Sequence, residues 1–278
     1  MGALYALASA VCYGIADFAG GLLSRRGEPV SVAWTGQAGG LGLTLVAALL
    51  LPSSCPNWAD LAWGGLSGVG TGVGMVFLYR GLSHGAMSVV VPVSAVAGVA
   101  LPVIAGVLVL GENLDPVSWV GVGLAVPALW LVTQTDTAPG AHGAGGATDG
   151  AIAGVGIALQ YLALAQADLA SGIWPVVAGR VAAVATISPL ALRTQPPWRL
   201  RPRLLALAAP VGGTAALALV FYQLAVGHQL LSVAVVLSSL YPAIPILLGV
   251  VALHEHVSRK QLVGILAAGG TIAALTAA

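Results

Sequence analysis

Long apolar runs, broken at short intervals by polar, proline or glycine clusters, set the pattern of this chain. Pro29 to Pro52, Leu61 to Tyr79, Met87 to Leu110 and Leu204 to Val226 each approach the roughly 20 residues that an α-helix needs to cross a bilayer. Cutting at the breaks predicts ten helices, over 2–23, 30–51, 59–80, 87–110, 116–134, 151–168, 172–192, 203–226, 229–253 and 258–277. The fold class is therefore an all-α integral membrane protein. One longer connection, TQTDTAPGAHGAGGATDG from Thr133 to Gly150, is made of small residues with little to bury. It predicts two five-helix units, 1–134 and 150–278, joined by a flexible linker over 135–149.

The two units resemble each other. Tyr79 and Tyr222, Pro102 and Pro245, Glu112 and Glu255, and Gly121 and Gly264 all stand 143 residues apart. Tyr13 and Tyr161 match at a slightly different offset. Five spans per unit is an odd number, so the second copy enters the membrane from the opposite side. Inverted repeats of this kind place a binding site near the bilayer midplane, between the halves.

Composition and charge sharpen the picture. The chain of 278 residues is 58% hydrophobic and 7% charged, against roughly 25% charged in soluble domains. A net charge of +1 with no basic tail gives no footprint for nucleic acid. Cys12 and Cys55 form no disulfide framework. The first apolar run lacks a basic n-region and a cleavage site, and reads as a retained helix. Arg25, Arg26, Arg80, Arg193, Arg199, Arg201, Arg203, Arg259 and Lys260 all follow odd-numbered spans, whereas CPNWAD, GENLDP, ADLASG and AVGHQ hold no Lys or Arg. The positive-inside rule makes the odd loops cytoplasmic and sets both termini outside.

The order of these features resembles the EamA-type branch of the drug/metabolite transporter superfamily. The residues that carry the likeness are YGIADFAGGLLSRR, GIWPVVAGR, SSLYPAIPILLGVVALHEHVSRKQLVGILAAGG and its looser first-half counterpart SAVAGVALPVIAGVLVLGENLDPVSWVGVGLAV. The resemblance covers nearly the whole chain. It implies ten helices in two inverted repeats and a bacterial inner-membrane exporter of small metabolites. His254 departs from the pattern, since a glycine often precedes the glutamate there, and relatives with cytoplasmic termini depart from the orientation read from charge.

Candidate chemistry lies in the few polar outliers within spans. Asp17, Gln37 and Arg180 are expensive in hydrocarbon unless they face a cavity or a partner. Gln37 and Arg180 stand 143 residues apart, at equivalent places in spans two and seven. The planar fork of Arg180 suits a carboxylate or phosphate, with a structural charge pair as the alternative. Asp17 reads as a cavity carboxyl that binds a proton or a cationic substrate, with a packing role as the alternative. Tyr13, Trp34, Tyr161, Gln166 and Trp174 complete the binding candidates, as aromatic and polar pocket linings. Trp58, Trp63, Trp119 and Trp198 read as interfacial anchors. Glu112 and Glu255 read as turn acids near headgroups, and Asp115–Pro116 and Ser258–Gln261 as helix starts.

Gly64, Gly68 and Gly72, with Gly70 and Gly74, make two small-residue ridges on span three. They read as helix contacts, since no strand or P-loop lysine supports a nucleotide site. His254, Glu255 and His256 are too close in sequence to share a helix face, and His84, His142 and His228 are scattered, so no metal site is expected. The chemistry expected is secondary transport of a small, polar or amino-acid-like metabolite by alternating access, by a monomer or homodimer in the lipid bilayer. A proton is a candidate partner, and no cofactor or nucleic acid is expected. A channel and a membrane-embedded enzyme are the alternative classes.

Overall fold

A computed structural model describes residues 1–51, 56–83, 87–132, 143–241, 243–244 and 258–277. Cys55, His84, His142, Pro245, His254, Glu255 and His256 lie outside them. Among the described residues there are ten α-helices and no strand: α1 (Gly2–Ser24), α2 (Pro29–Leu50), α3 (Trp58–Ser83), α4 (Met87–Leu108), α5 (Pro116–Val132), α6 (Gly143–Leu164), α7 (Trp174–Thr194), α8 (Pro202–Val226), α9 (Leu231–Ser238) and α10 (Arg259–Ala277). Short 3-10 turns at Leu169–Ser171 and Pro197–Arg199 join α6 to α7 and α7 to α8. Five helices, α1, α2, α3, α7 and α8, are long and apolar enough to cross a membrane.

Local chemistry explains the helix starts. Prolines open α2, α5 and α8, where the missing N–H costs nothing. Glu28 caps α2 by accepting from Ser31 N at 2.8 Å. Asp115 caps α5, accepting from Val117 N at 2.7 Å, Ser118 N at 2.9 Å and the Ser118 hydroxyl at 2.8 Å. These bonds, the one from the Ser118 backbone first, hold its carboxyl below the usual carboxylate range.

Two expected boundaries differ. α6 begins at Gly143 rather than 151, taking part of the small-residue connection into helix. There Asp149 is buried and paired with Arg80 of α3, so a charge pair anchors a stretch that composition alone reads as linker. α6 also ends at Leu164, short of the expected 168. α9 stops at Ser238. Leu240, Ala243 and Ile244 then donate to carbonyls three residues back, so the expected single span over 229–253 changes from α-helical to tighter turns.

Packing follows the glycines. A Cβ at Gly64 would meet the Pro175 carbonyl and one at Gly68 the Gly179 carbonyl, whereas one at Gly70 would meet the Gly156 carbonyl. One ridge of α3 thus faces α7 and the other faces α6. α8 packs in the same close manner, with Gly212 against Gly36 of α2, and also lies along α1. α4 packs on α6, α5 on α10, and α2 on α7. The exterior is apolar: Leu4, Val46, Leu49, Val181, Leu217, Val263 and Leu266 are exposed, as are Trp58, Trp63, Trp119 and Trp198 near helix ends.

Candidate functional site

The interior holds a layer of aromatic hydroxyls and amides. Tyr13 of α1 meets Tyr161 of α6 edge-on, with ring centroids 6.2 Å apart, and Tyr241 beyond α9 at 6.1 Å. Tyr161 lies 4.5 Å from the ring of Tyr222 on α8, whose hydroxyl donates to the Tyr161 carbonyl at 3.0 Å. Gln160 ties three helices together. Its amide donates to the Tyr13 hydroxyl at 2.8 Å and accepts from Thr71 of α3 at 2.6 Å, while its carbonyl accepts from Ser67 at 2.9 Å. Tyr79 of α3 brings its hydroxyl to the backbone of Gly20, where a Cβ would collide with it. That close approach needs glycine.

Two opposite charges border this layer. Asp17, partly buried on α1, lies within electrostatic range of Tyr13, Tyr79, Tyr161 and Tyr241. Arg180, 1% exposed, lies within range of Tyr13 and Tyr79. Its guanidinium donates to the Gln37 side-chain oxygen and, at 3.0 Å, to the Ala215 carbonyl. Its Nε is buried and, among the described residues, has no partner. No ion pair joins Arg180 to Asp17 or, among the described residues, to any other acid. The hydroxyls of Ser9 and Ser238 and the amide nitrogen of Gln223 are likewise buried without a protein partner. A lone buried guanidinium is costly unless something neutralises it.

The sequence candidates divide. Tyr13, Tyr161, Gln37, Arg180 and Asp17 come together. Trp34 lies beside them at the α2–α7 contact, donating to the Ser188 hydroxyl at 2.8 Å. Trp174 sits half-buried at the first residue of α7, and among the described residues no ring contact ties it to the tyrosine cluster. Gln166 is exposed beyond the end of α6. It lines an apolar groove of about 280 Å³ with Trp63, Leu66, Val109 and Leu159, away from the interior layer. α6 ends at Leu164, so Gln166 no longer follows the face that carries Tyr161. Tyr79, Tyr222, Tyr241, Gln160, Ser67 and Thr71 join the cluster beyond the candidates. The shared spacing of Tyr79 and Tyr222 was the signal for those two. Among the described residues, no three His, Cys, Asp or Glu converge.

Carboxylates also bind at the face where α3 begins and α4 and α6 end. Asp60, buried in the first turn of α3, accepts from Asp168 N at 3.0 Å and from the Ser171 hydroxyl. Glu112 accepts from Leu231 N, from Ser232 N at 3.1 Å and from the Ser232 hydroxyl. It therefore caps α9 rather than merely occupying a turn beside headgroups. At the opposite face Arg80 pairs with Asp149 and lies 4.5 Å from the Phe77 ring centroid.

Comparison with known proteins agrees with this architecture. Residues 1–134 match the EamA-like transporter family. A protein of known crystal structure shares the fold over 99% of this chain and 96% of its own, with a TM-score of 0.74 at 18% sequence identity. That likeness speaks for the fold alone. No curated protein sequence matches the chain.

Proposed function

Through residues 1–134 the chain belongs to the EamA-like transporter family, within the drug/metabolite transporter superfamily, and from that membership we propose that it exports a small amino-acid-like metabolite by alternating access. The membrane transporter is the family's activity. The substrate class, direction and mechanism are inferred from the interior.

The observation that carries the reading is the pair of separated opposite charges. Arg180 and Asp17 both lie within electrostatic range of Tyr13 and Tyr79 and are not bonded to each other. A zwitterion supplies what each lacks, a carboxylate for the free edge of the guanidinium and an ammonium for the carboxylate. The tyrosine rings near both charges suit the apolar part of such a molecule. When the substrate leaves, a proton on Asp17 relieves the lone carboxylate, which is the role proposed for proton coupling.

Two inverted five-helix repeats, 1–134 and 150–278, provide the moving parts. Helix packing supports this division. α3 packs on α6 and α7, and α8 packs on α1 and α2, so the contacts exchange when five is added to each helix number. The crossing of Gly36 on Gly212 has its counterpart in Gly179 on Gly68. Gln37 and Arg180, matched by the repeat, bond to each other, as matched positions do beside a two-fold axis. In this scheme all ten helices span a bacterial inner membrane with the arginine-bearing loops in the cytoplasm, and one half rocks against the other. Saturable counterflow in proteoliposomes tests the proposal.

A further inference from the structure

We propose that Asp60 and Glu112 form a two-part latch that shuts the arginine-free face of the molecule, and that both must let go before the interior opens to that side. The inference rests on the alternating-access reading. It concerns residues outside the tyrosine layer, at helix ends to which the transport argument gives no role.

Each carboxylate comes from the first half and takes its donors from the second. Asp60, in the first turn of α3, is 4% exposed. It holds the turn between α6 and α7 through Asp168 N at 3.0 Å and the Ser171 hydroxyl. Glu112, in the connection between α4 and α5, holds the start of α9 through Leu231 N, Ser232 N and the Ser232 hydroxyl. A carboxylate at a helix N-terminus satisfies free N–H groups and meets the positive end of the helix dipole. Gly111, at φ +69, makes the left-handed turn that aims Glu112. Glu112 N in turn donates to the Gly106 carbonyl at 3.0 Å.

The two faces are unlike. On the arginine-bearing face the halves meet through the buried Ser31 hydroxyl, which donates to the Gln195 carbonyl, and through Arg80 and Asp149, whose side chains are 46% and 10% exposed. Such a pair exchanges readily with water and is weakened by salt. On the other face Asp60 is buried and Glu112 half-buried, and their bonds to N–H and O–H groups are charge-assisted. Parting the halves there strands two carboxylates and the amides they serve until water arrives. Opening is therefore concerted at that face.

The test uses the full chain in liposomes, with Cys12 and Cys55 replaced by serine, and spin labels read by pulsed EPR without substrate. One pair, at Leu110 and Leu230, spans the latched face; the other, at Arg26 and Trp198, spans the arginine-bearing face. In Asp60→Asn with Glu112→Gln the first distance should lengthen by roughly 5 Å, the scale of one helical turn, while the second shortens. Ser171→Ala with Ser232→Ala removes donors and leaves both carboxylates, and should shift both distances in the same directions by less. Opposed changes at the two faces are not produced by loosening of the fold. Unchanged distances in both double variants, or broadening of both pairs together, would overturn the latch. Counterflow by the unaltered chain reports on transport separately, because the label distances are read with no substrate present.

Discussion

Arg180 is the residue on which the binding argument turns. Two of its guanidinium nitrogens have partners and its Nε has none among the described residues, so a second anion-facing edge remains. Arg180→Lys keeps the charge but loses the fork, and should raise the apparent substrate constant roughly tenfold or more, given about 1.5–3 kcal/mol for a bond to a charged group. Arg180→Gln should abolish transport with the protein still inserted, and Asp17→Asn should transport without responding to an imposed pH gradient. Transport assays on purified, monodisperse variants check all three. Normal transport by Arg180→Gln would leave it a structural residue. The residues of this site were legible where polarity broke an apolar run or a spacing recurred, as at Asp17, Gln37 and Arg180. Ser67 and Thr71 were not. The Thr71 hydroxyl also reaches the Ser67 carbonyl at 3.0 Å, as any helical threonine can, so nothing in the sequence distinguishes it as a partner of Gln160. Gln166 lies outside the layer for the opposite reason, because a polar residue two residues past a helix end leaves the face that the sequence pattern continues.

Helices hold together here through backbone approach, and the glycines of α3 show it. Gly68 lies on the Gly179 carbonyl, whereas nothing lies within 4 Å of a Cβ at Gly65. Gly68→Ala should destabilise the protein by about 1–3 kcal/mol, the usual cost of over-packing. Gly65→Ala should be neutral or stabilising by up to ~1 kcal/mol, since alanine favours helix. Thermal unfolding midpoints in detergent measure the difference, and equal midpoints would contradict the packing assigned to this face. The two ridges were readable because spacing by four residues survives any neighbour. Helix ends were less so. Gly143 opens α6 inside a segment whose composition is that of a linker, and the turns after Ser238 interrupt a run that hydrophobicity alone continues. The Glu112 cap joins elements over a hundred residues apart, a distance at which local pattern carries no signal.

At the scale of the whole molecule, the arginine distribution predicts an orientation and the proposed symmetry predicts a motion. With the arginine-bearing loops in the cytoplasm, Cys55 should react with an impermeant thiol reagent in intact cells, and a cysteine introduced by Arg199→Cys should react only after permeabilisation. The reverse pattern would invert the orientation and leave the fold intact. The central claim is carrier transport of an amino-acid-like metabolite, and counterflow tests it most directly. Proteoliposomes holding the purified chain are loaded with unlabelled proteinogenic amino acids and placed in isotope-labelled ones, and the lumen is read by mass spectrometry. The account predicts that at least one amino acid accumulates inside against its labelled gradient, saturates with concentration, and fails to do so with Arg180→Gln. Uptake that rises linearly without counterflow, or no uptake of any amino acid above empty liposomes, would contradict it.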